Sequence, residues 1–280
     1  MTTPFNLASF ADKVSSTGTA NPSAISDIAN TSTGALGFPV GTTAQRNGTP
    51  VNGMTRINST TSVLEVYYNG SWVTISTFTP PGPTVIGEAY GGGYYAGKIS
   101  TTGNGVATHY LIIAPKATGQ TTLYWTDPNS NNPNTTSVID GPGNTNAMNS
   151  STYPAAQWIK NLTIGGYNDW YMPALNEVIT LYYFLKPDTT ANYAGYGSNA
   201  NAVSPQPLNT NYNTASPAQS PAQTTATAFR TGGSEEITTL YSSTIYSATQ
   251  VYNLNFSAGI YSAQYKNNGT PCRAVRRIPI

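Results

Sequence analysis

Charge is the scarcest property of this chain. Of its 280 residues only 8% are Asp, Glu, Lys or Arg, with a formal net charge of +1, against roughly 25% charged residues in an average globular protein. A phosphate grip needs clustered Lys and Arg. Here the 12 basic residues are scattered, apart from Arg273, Arg276 and Arg277 near the end, so no nucleic-acid partner is expected. Cysteine is nearly missing too. Cys272 stands alone, which excludes an intrachain disulfide and a cysteine-based zinc site and leaves packing or oligomerisation to stabilise the chain. The one histidine, His109, opens an apolar stretch with no acid or nucleophile beside it, so its expected role is structural. No apolar run approaches the roughly 20 residues of a membrane span. No basic patch followed by an apolar stretch opens the chain, so neither membrane insertion nor an export signal is expected.

What is present argues for a folded, β-rich protein. Twenty Tyr, 4 Trp and 7 Phe with almost no charge imbalance are not the composition of a disordered chain. Thr, Ser, Asn and Gly fill the polar positions, which suits short strands joined by many turns. The length allows one large or two modest domains. Asn-x-Ser/Thr triplets at Asn47, Asn69 and Asn268 formally read as glycan acceptors, but chance supplies them in a chain this rich in Asn and Thr, and they matter only on a glycosylating route.

Along the chain, residues 1–37 hold two short segments of helical spacing, Leu7, Phe10, Ala11 and Val14, then Ile25 and Ile28. Neither is long enough to be stable alone, which marks an attachment segment awaiting a partner surface. Residues 38–78 read as a small β module. Its clearest feature is Val63 to Ile75, where Asn69-Gly70 supplies a type I′ turn and sets Tyr67 opposite Trp72 and Tyr68 opposite Ser71. A proline-rich linker, 79–84, follows.

From residue 85 a second domain is expected to run to 280. Ile86 to Gly97 alternates glycine with aromatics, the pattern of strands meeting at close approach, and His109 to Ala114 is a buried-strand candidate. Pro173, then Leu175, Val178, Ile179, Tyr182 and Leu185, closed by Pro187, predict a helix with Glu177 favoured near its positive end. Residues 188–228 read as a long surface loop. Near the end, Tyr252, Leu254 and Phe256 share one face and Asn253 and Asn255 the other. After a Ser257-Ala258-Gly259 turn, Tyr261, Ala263 and Tyr265 alternate with Ser262, Gln264 and Lys266, giving a hairpin with one polar, exposed face.

Two resemblances enter on these residues. Gly41 to Arg46, Gly53-Met54-Thr55-Arg56-Ile57-Asn58 and the Leu64-Glu65-Val66-Tyr67 to Trp72 hairpin resemble a short module of phage tail-fibre and other virion proteins. Ile164 to Glu177 (Ile-Gly-Gly-Tyr-Asn-Asp-Trp-Tyr-Met-Pro-Ala-Leu-Asn-Glu), Tyr241-Ser242-Ser243-Thr244, the Phe256 to Gly259 turn and the closing Arg273 to Arg277 resemble the Lcl-type C-terminal domain family. With the Ile86 to Gly97 opening, this second resemblance covers most of residues 85–280. It departs at Leu240 to Ile245, where the family commonly has a Trp before the two serines and a Glu after the threonine. The implied fold is α+β and β-rich, a C-type-lectin-like domain behind a small β-hairpin module. The implied setting is a bacteriophage virion, on the tail or capsid exterior.

For Asp169, Trp170, Pro173, Glu177, Ser242, Ser243, Arg273 and Arg276 the expected role is structural. Trp170 would anchor a core and send its indole N–H to a fixed acceptor, while Asp169 would bind backbone donors in the glycine turn before it. Reading Asp169 and Glu177 as a glycosidase pair would need a sugar cleft between them. No calcium site is expected, because Ca²⁺ needs clustered oxygen ligands and neither a Glu-Pro-Asn nor a Trp-Asn-Asp motif occurs. No cofactor, no metal and no catalysis are expected. The expected binding surface is Tyr246, Gln250, Asn253, Asn255 and Gln264, amphipathic and amide side chains suited to recognition. The function expected from these readings is a tail fibre or receptor-binding protein that meets a host surface glycan or protein. It would hold other virion proteins by its N-terminal segment and assemble as a homotrimer. A capsid decoration or neck-fibre protein is the alternative, and a bacterial surface adhesin the next.

Overall fold

The computed structural model describes residues 38–61, 63–75, 82–126, 133–215 and 219–280. The expected attachment segment 1–37 and the prolines at 80 and 81 lie outside them. The chain divides into two compact units, one ending at Thr79 and one beginning at Pro80.

The first unit is a four-stranded sheet in the order β1-β2-β3-β4, made of β1 (Val40–Gly41), β2 (Thr55–Asn58), β3 (Val63–Tyr68) and β4 (Ser71–Thr74). β1 runs parallel to β2 and the other pairs are antiparallel. The β3–β4 hairpin forms in the register read from the sequence, Tyr67 against Trp72 and Tyr68 against Ser71. Asn69 and Gly70 turn at φ 49° and 83°, and the Tyr67 and Trp72 rings meet edge-on at 5.5 Å. Strand alternation places Arg56 opposite Glu65, and these two are buried together with Asn58. The buried side of this sheet is therefore polar, held by the Arg46–Glu65 ion pair at 2.6 Å and an Asn58 amide bond to Glu65 at 3.0 Å.

The second unit is mixed and β-rich, with several small sheets. β5 (Ala89–Tyr90), β6 (Gly93–Ile99), β7 (His109–Ile113) and β13 (Val275–Pro279) form one sheet in the order β13-β7-β6-β5. β8 (Gln120–Leu123) pairs with β12 (Thr270–Arg273), and β9 (Thr239–Ile245), β10 (Gln250–Asn255) and β11 (Ile260–Tyr265) form a third sheet. The helices are a single turn, α1 (Lys116–Gly119), then α2 (Gly141–Ala147), α3 (Pro154–Lys160) and α4 (Leu175–Leu185).

β7 explains why the core has two lobes. Its apolar residues are consecutive, so both faces must be covered. Leu111 and Ile113 pack with α4 residues such as Val178, Leu181 and Leu185. Ile112 packs with Trp125, Met148 and Trp170 on the other side. The predicted helix forms as α4 and is buried almost all round. Its N-cap residue Ala174 has no capping side chain, but Glu177 in the first turn reaches back to accept the Ala174 N–H at 2.8 Å. The helix's first N–H groups go to Thr244 Oγ1 from β9 (3.0 Å, from Leu175) and to the Val138 carbonyl (2.8 Å, from Asn176).

Two expectations are corrected and a third is refined. Among its described residues the 188–228 stretch holds no α-helix or β-strand and lies mostly exposed, as a surface loop, until the 3-10 turn Thr227–Phe229, but it is also anchored inward. Asn192, Asn199, Asn201, Gln206, Tyr212 and Thr224 in it are buried, because their amides and hydroxyls satisfy the backbone and core groups that a structureless segment would strand. Lys266, expected on the polar outer face of the last hairpin, is buried. Its ammonium donates to the Ala248 carbonyl at 3.0 Å and lies 5.0 Å from the Trp125 ring centre. It follows β11, where the chain has left the regular alternation of the strand. Asp169 binds no backbone donor of the glycine turn and pairs instead with Arg276, a partner 107 residues away.

Candidate functional site

The signature residues gather around the last strand, and each arginine there has its own carboxylate. Arg273 is fully buried, with Nε on the Ala114 carbonyl (2.7 Å), Nη1 on the Glu235 carbonyl (2.9 Å) and Nη2 on the Glu235 carboxylate. Burial pulls its guanidinium down to about 10, with Glu235 opposing that shift. Arg276 grips Asp169 with two bonds, 2.8 and 2.9 Å, and lies over the Tyr167 ring at 3.7 Å. Arg277 binds Glu177 at 2.9 Å and also donates to the Ile139 carbonyl. Glu177, fully buried, takes further bonds from the Tyr171 hydroxyl and the Ala174 N–H. Burial raises its pKa, with Arg277 pulling the other way. His109 sits at the start of β7 with Nδ1 2.9 Å from Thr108 Oγ1, and burial lowers its pKa, with Arg277 adding to the effect.

The other signature positions brace this frame. Trp170 is buried and donates its indole N–H to the Tyr167 carbonyl at 3.0 Å. Pro173 accepts the Ser243 N–H at 2.7 Å, Ser243 Oγ receives the Asn144 amide at 3.2 Å, and the Ser242 carbonyl receives the Trp125 indole at 3.0 Å. The two glycine motifs meet here. A Cβ on Gly165 would fall 2.5 Å from the Gly92 backbone, and Gly165 and Gly92 both have positive φ, so only glycine suits both sides of the contact. Tyr171 and Val275 exchange backbone bonds of 2.8 and 2.9 Å. The Gly-Gly-Tyr-Asn-Asp-Trp stretch and the arginine-rich strand thus belong to one folded unit.

Beside them lies a cleft of about 350 Å³, lined by Asn146, Lys160, Asn168, Asp169, Trp170 and Arg277 among others. Glu177 is fully buried behind Tyr171 and Arg277. Asp169 has both oxygens on Arg276. The two acids are fixed by separate arginines. Among the described residues, no group of three or more His, Cys, Asp or Glu is placed to hold a metal ion.

The residues expected to bind divide between two faces. In the β10–β11 register, Val251 opposes Gln264 and Asn253 opposes Ser262. Alternation therefore puts Asn253, Asn255 and Gln264 on one face, where the Ser262 hydroxyl donates to Asn253 at 2.9 Å. Gln250 falls on the opposite face, with Tyr252. Tyr246 lies in the β9–β10 turn, its ring edge-on to Tyr252 at 5.2 Å.

Sequence reasoning missed what Tyr246 belongs to. Tyr246, Tyr252, Tyr261, Tyr196 and Tyr193 form a continuous row, with successive ring centres 5.2, 6.1, 4.8 and 5.7 Å apart. The end rings, Tyr193 and Tyr246, are 56% and 55% exposed. The middle three lean on the α4 lobe of the core with their outer sides uncovered. Burial raises the Tyr261 pKa, helped by its neighbours Tyr252 and Tyr196. The sequence offered one signal, the tyrosine content of 193–196 and 246–265, but nothing in it tied the central loop to the last hairpin. Comparison with models of known families, with curated proteins and with solved structures finds no match to this chain.

Proposed function

We propose that this chain is a bacteriophage virion protein, a tail fibre or receptor-binding protein that recognises the host surface without catalysing a reaction. In this reading its second unit is a C-type-lectin-like domain, its N-terminal segment holds other virion proteins, and it works as a homotrimer. The observation that carries the reading is the tyrosine row. Rigid aromatic rings with polar tips give contact area at low entropic cost, and no charged side chain belongs to the row. The arginines and acids beside the cleft support it too. They are tied to one another in ion pairs and carbonyl bonds, the arrangement of a frame that holds a binding surface in shape.

The test is adsorption of particles carrying Tyr193→Ala with Tyr246→Ala, the two rings least embedded in the core. Aromatic anchors at interfaces each contribute about 2 kcal/mol or more. Adsorption to host cells is expected to fall at least about tenfold, with particle yield and the melting temperature of the chain unchanged. A second set, Asn253→Ala with Asn255→Ala and Gln264→Ala, asks the same of the opposite face. Normal adsorption in both sets sinks the reading.

A further inference from the structure

Lys186, the residue that follows α4, is fully buried. The three groups its Nζ donates to are all neutral: the Thr190 carbonyl, Asn192 Oδ1 at 2.8 Å and Gln219 Oε1 at 3.3 Å. A buried charge is ordinarily met by an opposite one. Burial lowers the Lys186 pKa, with the charge of Asp188 opposing, and this brings the neutral, nucleophilic amine within reach. The amide in front of it is fixed from both sides. Asn192 is buried too, and its Oδ1 also accepts the Tyr182 hydroxyl at 2.7 Å. Its Nδ2 donates to the Asn213 and Pro221 carbonyls at 3.2 and 2.9 Å. With donors on the oxygen and carbonyls on the nitrogen, only one orientation of the amide satisfies its partners. Because an amide C=O bond is about 1.23 Å long, the 2.8 Å contact places Nζ within about 4 Å of Asn192 Cγ.

We propose that Lys186 and Asn192 join in an isopeptide bond, made by the folded chain without any other reagent. Lys186 first gives its ammonium proton to solvent. The neutral Nζ then adds to Cγ, and the carbonyl electrons move onto Oδ1, where the Tyr182 hydroxyl steadies the negative charge. A proton passes from Nζ to Nδ2, the Cγ–Nδ2 bond breaks as the carbonyl reforms, and ammonia leaves, taking up the proton that solvent received. One amide replaces another and nothing is oxidised or reduced. Holding the two groups side by side makes the step effectively unimolecular, and the product replaces a buried cation with a neutral amide. The bond ties the end of α4 to the segment that opens the tyrosine row, since Tyr193 follows Asn192 and donates its N–H to the Ala258 carbonyl at 2.9 Å. The inference goes beyond the host-recognition reading and does not rest on it, because it uses none of the exposed rings.

The test is the intact mass of the full wild-type chain, purified folded. It is expected to lie about 17 Da, one ammonia, below the mass its residues add up to. After cleavage before Asp188, the pieces carrying Lys186 and Asn192 are expected to stay joined, and Lys186→Met is expected at its full mass with those pieces separate. An asparagine that cyclises onto a following glycine loses the same mass, so the position of the loss decides. A wild-type chain at full mass overturns the inference, whatever the variant does. So does a loss that maps to an Asn-Gly pair such as Asn69-Gly70 or Asn268-Gly269, or one that persists in Lys186→Met.

Discussion

At the scale of single residues, the ion pairs differ in what they are worth. Arg273 is fully buried, and removing Glu235 would leave its charge without an anion. Breaking a buried pair from one side costs about 3–5 kcal/mol. The Arg276–Asp169 pair is bidentate with the Arg276 side chain only 9% exposed, but that of Asp169 is 51% exposed, so water reaches that side and makes good part of what its removal takes away. In urea unfolding, Glu235→Ala is therefore expected to destabilise more than Asp169→Ala. Equal losses would contradict the assignment. Lys266 sets a pH dependence. Burial lowers its folded pKa to about 8, below the roughly 10.4 of an unfolded lysine. Between those values the unfolded chain holds more protons, so this group's unfavourable contribution, full below about pH 8, is relieved as pH rises. The stability of Lys266→Met relative to wild type is expected to fall across that window, and urea titrations on either side of about pH 8 measure it.

At the scale of elements, the central loop is the part that composition reads only in part. A segment rich in Asn, Ser and Pro looks solvated because those side chains hydrogen-bond water well. Here several of them bind the protein. Asn192 alone receives the Tyr182 hydroxyl at 2.7 Å and the Lys186 ammonium at 2.8 Å, and donates to the Asn213 and Pro221 carbonyls. Each buried group left without a partner costs about 1–3 kcal/mol. Asn192→Ala is expected to lose at least about 2 kcal/mol and to open 188–228 to limited proteolysis. A loop as resistant as in the wild type would show that it is held by something else. α4 and the β3–β4 hairpin were legible because their signals are local: helical spacing bounded by prolines, and Asn-Gly between alternating residues. The tyrosine row was not, since its rings come from the loop, two strands and a turn.

At the scale of the whole molecule, scarcity of charge has a measurable consequence. The only local cluster of basic residues, Arg273, Arg276 and Arg277, is committed to Glu235, Asp169 and Glu177. No retained complex with duplex DNA is expected in a gel-mobility assay at physiological ionic strength, and a retained one would mean that another surface binds phosphate.

The sequence by itself determined the class, β-rich with one good helix, and the hairpin register. Those follow from composition and from side chains fewer than about a dozen positions apart. Only the tertiary structure decided which acid each arginine meets, that the first sheet buries its charges, and that five tyrosines line up. Strand alternation says that two faces differ, but which face is covered depends on what packs there. Long-range pairing of this kind leaves no periodicity for a linear reading to detect.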